Sequence, residues 1–228
     1  MPVSRFFLAS ATVALLAGCT PRSDPTPPSP ATNAVARLAA ACVDVGVKGC
    51  VTTGGGYFNA AGRRTFYWQL QEGETPDDVA GGAYVLLAAD PDQGLEILAS
   101  GAESHHAYEA PELVWIDATP YVAIAGVMAG TGRFNADALY RWTTDPSRPL
   151  VKLDNQRWRE EPGRLPPGFG VRKGVRFDYG ETTITALTAL WRDTDPECCP
   201  TGGEARLSFA IEGDRLVLGS VDRLPPHA

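Results

Sequence analysis

The sequence predicts a mainly β protein: a sandwich, barrel or propeller-like arrangement of short antiparallel strands with one short N-terminal helix. From Val51 onward, short apolar runs are separated by Gly, Pro and Asp, a spacing typical of all-β proteins. Apolar and polar residues alternate over 206–212, as expected of a strand with one buried face. Gly213-Asp214 follows as a two-residue hairpin turn, and an apolar segment over 216–221 returns from it.

The remaining elements are predicted from the same two kinds of signal. Thr32 or Asn33 could cap a short helix that continues to Ala41 and is built on Ala and Leu. Nine further apolar runs, each bounded by turn residues, are predicted strands: Thr65–Leu70, Ala83–Ala89, Leu95–Ala99, Leu113–Ile116, Tyr121–Val127, Ala138–Trp142, Leu150–Leu153, Val171–Phe177 and Thr182–Trp191.

Length and composition indicate one ordinary domain, expected over residues 33–228. The chain has 228 residues, of which 44% are hydrophobic and 21% are charged, so a core can form. The formal net charge of −7 argues against a nucleic-acid partner, because phosphate binding needs a basic surface.

The N-terminus has the pattern of an export signal. The apolar run Phe6–Leu16 is too short to span a bilayer as a helix, and it ends in Leu16-Ala17-Gly18-Cys19. An apolar residue, two small residues and a cysteine in this order resemble the lipobox of bacterial lipoproteins.

The resemblance to lipoproteins implies where the protein is located and how it is attached to a membrane. Residues 1–18 would be the signal peptide, and the thiol of Cys19 would receive a diacylglycerol, with its new amino group often acylated too. Thr20, rather than aspartate, follows Cys19, which favours the periplasmic face of the outer membrane. Residues 19–32 would then hold the lipidated cysteine and a Pro-rich tether, and membrane lipid would be the first partner.

Four cysteines besides Cys19 are expected to form disulfides in an oxidising compartment: Cys42, Cys50, Cys198 and Cys199. Three pairings are possible, and we favour two long-range bonds that join the first two cysteines to the last two. The first such bond would close a loop of about 150 residues and stabilise by about 4 kcal/mol. The alternative is Cys42–Cys50 with a bond between adjacent cysteines. No pair has the spacing of a zinc knuckle, so a zinc site is disfavoured.

The segment around the adjacent cysteines reads Cys198-Cys199-Pro200-Thr201-Gly202. It resembles a Cys-Cys-Pro-Ser/Thr-Gly motif of bacterial exported proteins and lipoproteins, a resemblance that implies an envelope protein and no mechanism. Just before it, three acidic residues alternate like the start of a calcium loop: Asp193, Asp195 and Glu197. No later glutamate completes that pattern, so we interpret the residues as a solvated acidic turn.

Histidines are the other candidates for chemistry. Ser104-His105-His106 is the one histidine cluster, and on a strand two adjacent rings would point to opposite faces. With Glu103 nearby, one ring could serve as a general base, although no nucleophile motif accompanies it. We expect core packing for at least three of the five tryptophans: Trp68, Trp115, Trp142, Trp158 and Trp191.

One internal repeat is possible. The segment Gly54–Ala60 is similar to Gly130–Ala136, and an aromatic strand follows each copy. The two copies are either a duplicated β-unit with equivalent loops, whose glycines serve turns with positive φ, or chance similarity in a chain rich in Gly and Ala.

These observations favour a membrane-anchored envelope lipoprotein that binds a protein or a glycan without catalysis. The tether, the β-rich domain and the lack of a catalytic motif support this hypothesis, and no cofactor or metal is expected. One alternative is an envelope hydrolase with a site near His105 and His106. The other is a structural or assembly factor.

Overall fold

The computed structural model describes residues 30–59, 64–90, 94–129, 135–161 and 164–225. Within these ranges the chain forms the helix α1 (Pro30–Ala40), a 3₁₀ turn over Arg157–Glu160 and sixteen strands. The strands are β1 (Lys48–Phe58), β2 (Phe66–Glu74), β3 (Ala80–Asp90), β4 (Gly94–Ser104), β5 (His106–Tyr108), β6 (Glu112–Ile116), β7 (Thr119–Ile124), β8 (Gly126–Met128), β9 (Ala138–Trp142), β10 (Leu150–Leu153), β11 (Phe169–Gly170), β12 (Arg176–Tyr179), β13 (Ile184–Ala189), β14 (Trp191–Arg192), β15 (Glu204–Glu212) and β16 (Arg215–Arg223).

Twelve of these strands form three four-stranded antiparallel sheets, and each sheet uses strands in chain order. The first sheet has the order β1-β2-β3-β4, the middle sheet β10-β9-β7-β6 and the third sheet β12-β13-β15-β16. Two short ribbons, β5-β8 and β11-β14, accompany them. The predicted mainly β fold with one short N-terminal helix is confirmed. The described strands form open sheets that pack face to face, as in a sandwich.

The middle sheet is buried on both faces. On β7, Tyr121 and Ala123 join a core cluster with Leu207 and Phe209 of the third sheet. The intervening Val122 and Ile124 pack instead against a core that includes Leu86 of the first sheet. Because both faces of β7 are covered, its sequence is a continuous apolar run rather than an alternating one.

The third sheet has one buried face, as its sequence pattern predicts. On β15, Ala205, Leu207 and Phe209 are buried, while Arg206 and Ala210 are exposed. The predicted turn connects β15 to β16, with Gly213 at a φ of +62° that favours glycine.

The helix packs on the outer face of the first sheet, where Leu38 contacts a cluster containing Tyr67 and Val85. The buried Gln69 of β2 completes this contact, because its side-chain amide donates to the carbonyls of Leu38 and Ala41. These are carbonyls that the end of a helix leaves without an intrahelical partner. The helix begins at Pro30, two residues before the earlier of its two predicted caps.

The glycines in the first copy of the proposed repeat do not serve turns. Gly54, Gly55 and Gly56 lie within β1, and none of them has a positive φ. A Cβ on Gly56 would come within 2.7 Å of the Trp68 ring, so close side-chain packing explains this glycine. Strand β1 was therefore missed by the sequence analysis. The second copy of the repeat falls mostly on residues 130–134, outside the described residues.

The strand predicted over Val171–Phe177 is shifted, since β12 begins only at Arg176. The reason is that backbone groups before it bond to side chains. Asn135 bonds both the N–H and the carbonyl of Val175, and Arg159 donates to the carbonyl of Lys173. The core role predicted for three or more tryptophans is confirmed for Trp142, Trp158 and Trp191.

The favoured cysteine pairing is wrong. Cys42 is bonded to Cys50, with 6.3 Å between their Cα atoms, and Cys198 is bonded to Cys199. The first bond ties the segment after α1 to β1 across eight residues. Adjacent cysteines were expected to bond to separate partners, but Cys42 and Cys50 bond to each other, which leaves Cys198 and Cys199 as mutual partners.

Among the described residues, no helix is both long enough and apolar enough to cross a bilayer.

The double substitution Cys42→Ser/Cys50→Ser should lower stability by about 2.5 kcal/mol, because a bond across eight residues removes that much denatured-state entropy in the chain-entropy model. Thermal unfolding by circular dichroism would show a melting temperature reduced by roughly 5–10 °C. An unchanged melting temperature, or a peptide map linking Cys42 to the Cys198–Cys199 peptide, would contradict this pairing.

Candidate functional site

A cavity of about 410 Å³ lies between β8, the chain entering β9, and the edge strand β12. Its volume is within the range of about 300–1,000 Å³ that is common for small-ligand pockets. Polar and aromatic side chains line it together: Glu109, Asn135, Asp137, Arg176, Phe177 and Tyr179. We call this cavity the Asp137 cavity.

Asn135 fixes one wall of the Asp137 cavity. Its Oδ1 accepts hydrogen bonds from the N–H of Val175 at 2.6 Å and from a guanidinium nitrogen of Arg159 at 3.0 Å. Its Nδ2 donates to the carbonyl of Val175 at 2.6 Å. The side chain thus pairs with Val175 as a neighbouring strand would, and it holds the start of β12 beside the middle sheet.

Arg159 supports this wall from behind. Besides Asn135, its guanidinium donates to the carbonyl of Lys173 at 3.0 Å and to Oε1 of Gln156 at 3.1 Å. The guanidinium carbon also lies 4.6 Å from the centre of the buried Trp158 ring. Burial lowers the pKa of Arg159, and the negative charge of Asp137 partly offsets that effect. These partners fix the guanidinium, so Arg159 holds the Asn135 side chain and the backbone at Lys173 in place.

Asp137 is the chemically distinctive group of the cavity. Its Oδ1 accepts a hydrogen bond from the N–H of Gly126 at 3.3 Å. Its Oδ2 is buried and has no hydrogen-bond partner among the described residues. A buried acceptor without a partner is costly, and it is unusual in folded proteins unless a ligand or water completes it.

Burial of the Asp137 carboxyl raises its pKa above the ordinary value. The nearby amide of Asn135, the N–H of Gly126 and the charge of Arg159 lower the pKa, but the effect of burial is larger. A raised carboxyl pKa in a cavity is a recognised mark of a functional site. It also means that the charged form of Asp137 gains from any ligand that donates a hydrogen bond to it.

Two aromatic rings form the opposite wall. Phe177 and Tyr179 alternate along β12 and therefore share a face of the strand. Their rings are stacked, with centroids 5.9 Å apart and planes inclined by 15°. Burial raises the pKa of Tyr179, and the nearby charge of Asp137 raises it further, so its hydroxyl stays protonated. The two rings contribute apolar area to the cavity, and the Tyr179 hydroxyl contributes a polar group.

A second, larger groove of about 750 Å³ contains both histidines of the predicted cluster. The expectation of opposite faces was made for two histidines on one strand, and His105 lies between β4 and β5 instead. His105 has a φ of +60°, so the strand alternation is broken there and both residues line one groove. Lys48, Glu72 and Glu74 line the same groove.

Within this groove, His106 has one nitrogen committed. Its Nδ1 lies 2.7 Å from the carbonyl oxygen of Ser104, so it carries the proton and donates to that oxygen. The hydroxyl of Ser104 is engaged elsewhere, 2.7 Å from that of Thr75. A pair of His106 with Ser104 as base and nucleophile is therefore not formed. Among the described residues, no group of three His, Cys, Asp or Glu side chains could hold a metal ion.

Of the three acidic residues before the adjacent cysteines, Asp193 and Glu197 are exposed, as expected of a solvated turn, whereas Asp195 braces the loop. Asp195 is buried, and its carboxylate accepts hydrogen bonds from the N–H of Arg192 and from the N–H and hydroxyl of Thr201, each at 2.7 Å. These hydrogen bonds, the one from the Thr201 hydroxyl most of all, lower its pKa.

The sequence analysis missed the residues of the Asp137 cavity. Asn135, Asp137 and Arg159 are separated along the chain, and no spacing rule connects them. The paired aromatics at 177 and 179 were the one signal available. Cys19, the predicted lipidation site, lies outside the described residues.

No protein-family model matches this chain, and neither a curated protein nor a solved structure matches it.

The substitution Asp137→Asn should remove a pH-dependent loss of stability. Because the folded-state pKa of Asp137 is raised, the carboxyl lowers stability once it ionises. The wild type should therefore lose stability relative to the variant as the pH rises from the ordinary carboxyl pKa through the raised one. Urea unfolding of both proteins between pH 3.5 and 8 measures this difference. A difference that does not change with pH, or one that shifts in favour of the wild type, would contradict the assignment.

Proposed function

We propose that this protein is an exported lipoprotein that binds a hydroxyl-rich glycan segment, without catalysis, in the Asp137 cavity. The observation that carries the proposal is the buried Oδ2 of Asp137, which has no partner among the described residues and belongs to a residue that lines the same cavity as the aromatic pair Phe177 and Tyr179. Sugar hydroxyls are hydrogen-bond donors, and the apolar face of a sugar ring packs on aromatic rings.

The arrangement of the cavity supports a glycan over a purely apolar ligand. Asp137 supplies a buried acceptor, and Phe177 and Tyr179 supply apolar ring area in the same cavity. Glu109 and Arg176 are exposed and add polar groups at the rim. Because the partners of Asn135 and Arg159 hold the walls in place, little ordering of the protein is needed on binding.

The proposed location follows from the N-terminal sequence. The resemblance of Leu16-Ala17-Gly18-Cys19 to a lipobox supports lipidation at Cys19 and anchoring at the periplasmic face of the outer membrane. The Pro-rich segment that follows would hold the β-rich part away from the membrane surface. A glycan-binding cavity on such a tether would face the polymers of the envelope.

A hydrolase with its site at the His105–His106 groove is a second candidate. The observation in its favour is that both histidines and two carboxylates line one groove, and that His106 keeps its Nε2 free of the Ser104 contact. The binding experiment below separates the two candidates, because only the first predicts that Asp137→Asn weakens binding of the probe. The third hypothesis, an assembly factor, predicts no binding of the probe.

Binding of N,N′-diacetylchitobiose, measured by isothermal titration calorimetry, tests the proposed function. Asp137→Asn should weaken binding by about 10–100-fold, since a hydrogen bond to a charged acceptor is worth about 1.5–3 kcal/mol. Asp178→Asn is the matched control, because this exposed residue on β12 makes the same change of charge between the two stacked aromatics. No binding by the wild type, or equal losses in both variants, would argue against the Asp137 cavity.

Lipidation is tested separately by mass spectrometry of the membrane fraction. The N-terminal peptide should begin at Cys19 and carry a diacylglycerol, and Cys19→Ser should leave an uncleaved precursor. An unmodified Cys19 thiol, or a mature chain that retains Met1, would refute the anchoring proposal without affecting the cavity.

A further inference from the structure

We propose that the Cys198–Cys199 disulfide is a thiol-exchange site, whereas Cys42–Cys50 is structural. The inference is independent of the proposed glycan site. Three properties of the adjacent pair support it: access, a negligible structural contribution, and a loop that is held in shape by other bonds.

Access is the first property. Both Cys198 and Cys199 are exposed, as are Pro196 and Glu197 just before them. An attacking thiolate needs a free path to one sulfur, and the other sulfur must be able to leave into solvent. Cys42 and Cys50 are only partly exposed, so the two disulfides differ in how easily an external thiol reaches them.

The second property is the small structural effect of the bond. A disulfide stabilises a fold mainly by restricting the unfolded chain, and the effect falls with the length of the loop closed. The sequence separation is one residue for Cys198–Cys199 and eight for Cys42–Cys50. The bond between adjacent residues therefore adds little to stability, and opening it should not unfold the protein.

The third property is the bracing of the loop by other groups. The buried Asp195 carboxylate accepts three hydrogen bonds from Arg192 and Thr201, which lie on either side of the cysteines. From the opposite direction, the Arg172 guanidinium donates to the carbonyls of Asp195, Arg192 and Asp193. These bonds do not involve sulfur, so the loop should keep its shape when the disulfide is reduced.

The exchange proceeds in two balanced steps. An external thiolate attacks one sulfur of the pair, the Cys198–Cys199 bond breaks, a mixed disulfide forms, and the other cysteine leaves as a thiolate that takes up a proton. A second external thiol then attacks the mixed disulfide. That step releases an external disulfide and leaves two cysteine thiols, so two external thiols lose two electrons and the pair gains them. Alternatively, the neighbouring thiol attacks first and restores the original bond.

The experiment uses the full chain with Cys19→Ser, so that the two disulfides hold the remaining cysteines. The native protein is incubated with 2-mercaptoethanol in one arm and with a single-cysteine peptide in the other, to represent small thiols and protein thiols. Free thiols are then alkylated, and the products are mapped by mass spectrometry. We expect loss of the Cys198–Cys199 bond and mixed disulfides on these residues, with Cys42–Cys50 intact and the melting temperature unchanged.

The faster arm identifies the source of the thiol. Failure of both arms to open the adjacent pair in the native protein would overturn the proposal, as would opening of both disulfides together.

Single-cysteine variants provide a second test that does not depend on reduction. Cys199→Ser and Cys198→Ser each leave one thiol in the loop, with no neighbour to displace a bound partner. After exposure to the disulfide form of 2-mercaptoethanol, each variant should accumulate a stable mixed disulfide, detected as an increase in intact mass. Absence of that adduct in both folded variants would also overturn the proposal.

Discussion

The middle sheet must be covered on both faces, and this constraint determines where everything else lies. Residues 120–124 of β7 are all buried, so water cannot solvate either side of the strand. The first sheet covers one face and the third sheet covers the other, with separate cores on the two sides. Burial of apolar area on this scale is the main driving force for the stacked arrangement.

The Asp137 cavity forms where this stacking ends. Beyond the last paired residues of the middle sheet, the chain before β9 meets β12 at the edge of the third sheet. Backbone groups at that junction have no strand to pair with, and Asn135 and Arg159 satisfy them with side-chain hydrogen bonds. The same polar side chains that join the two sheets lie beside Asp137, whose carboxyl is buried in the wall of the cavity. A carboxyl in this position costs stability, which is common at sites kept for binding.

Sequence patterns predicted the parts of the fold that obey local rules. Alternation over 206–212 and the Gly213-Asp214 turn gave the last hairpin, because one face of that sheet is exposed. Strand β1 was missed, since three consecutive glycines are not typical of a strand, and the need for Gly56 comes from its close packing on Trp68 of another strand. The cavity was missed for a similar reason, because Asn135, Arg159 and Val175 come together only through the tertiary fold. The opposed orientation expected of His105 and His106 on a strand does not apply, because His105 has a positive φ that the sequence does not reveal.

In the proposed function, the buried Oδ2 of Asp137 accepts a hydrogen bond from the ligand. The most direct test is to follow the pH titration of its carboxyl carbon by NMR, first in the free protein and then in the presence of saturating N,N′-diacetylchitobiose. The account predicts a pKa above the ordinary aspartate value in the free protein and a fall in that pKa when the sugar donates to Oδ2. An ordinary pKa in the free protein, or a raised one that the sugar does not change, would contradict it.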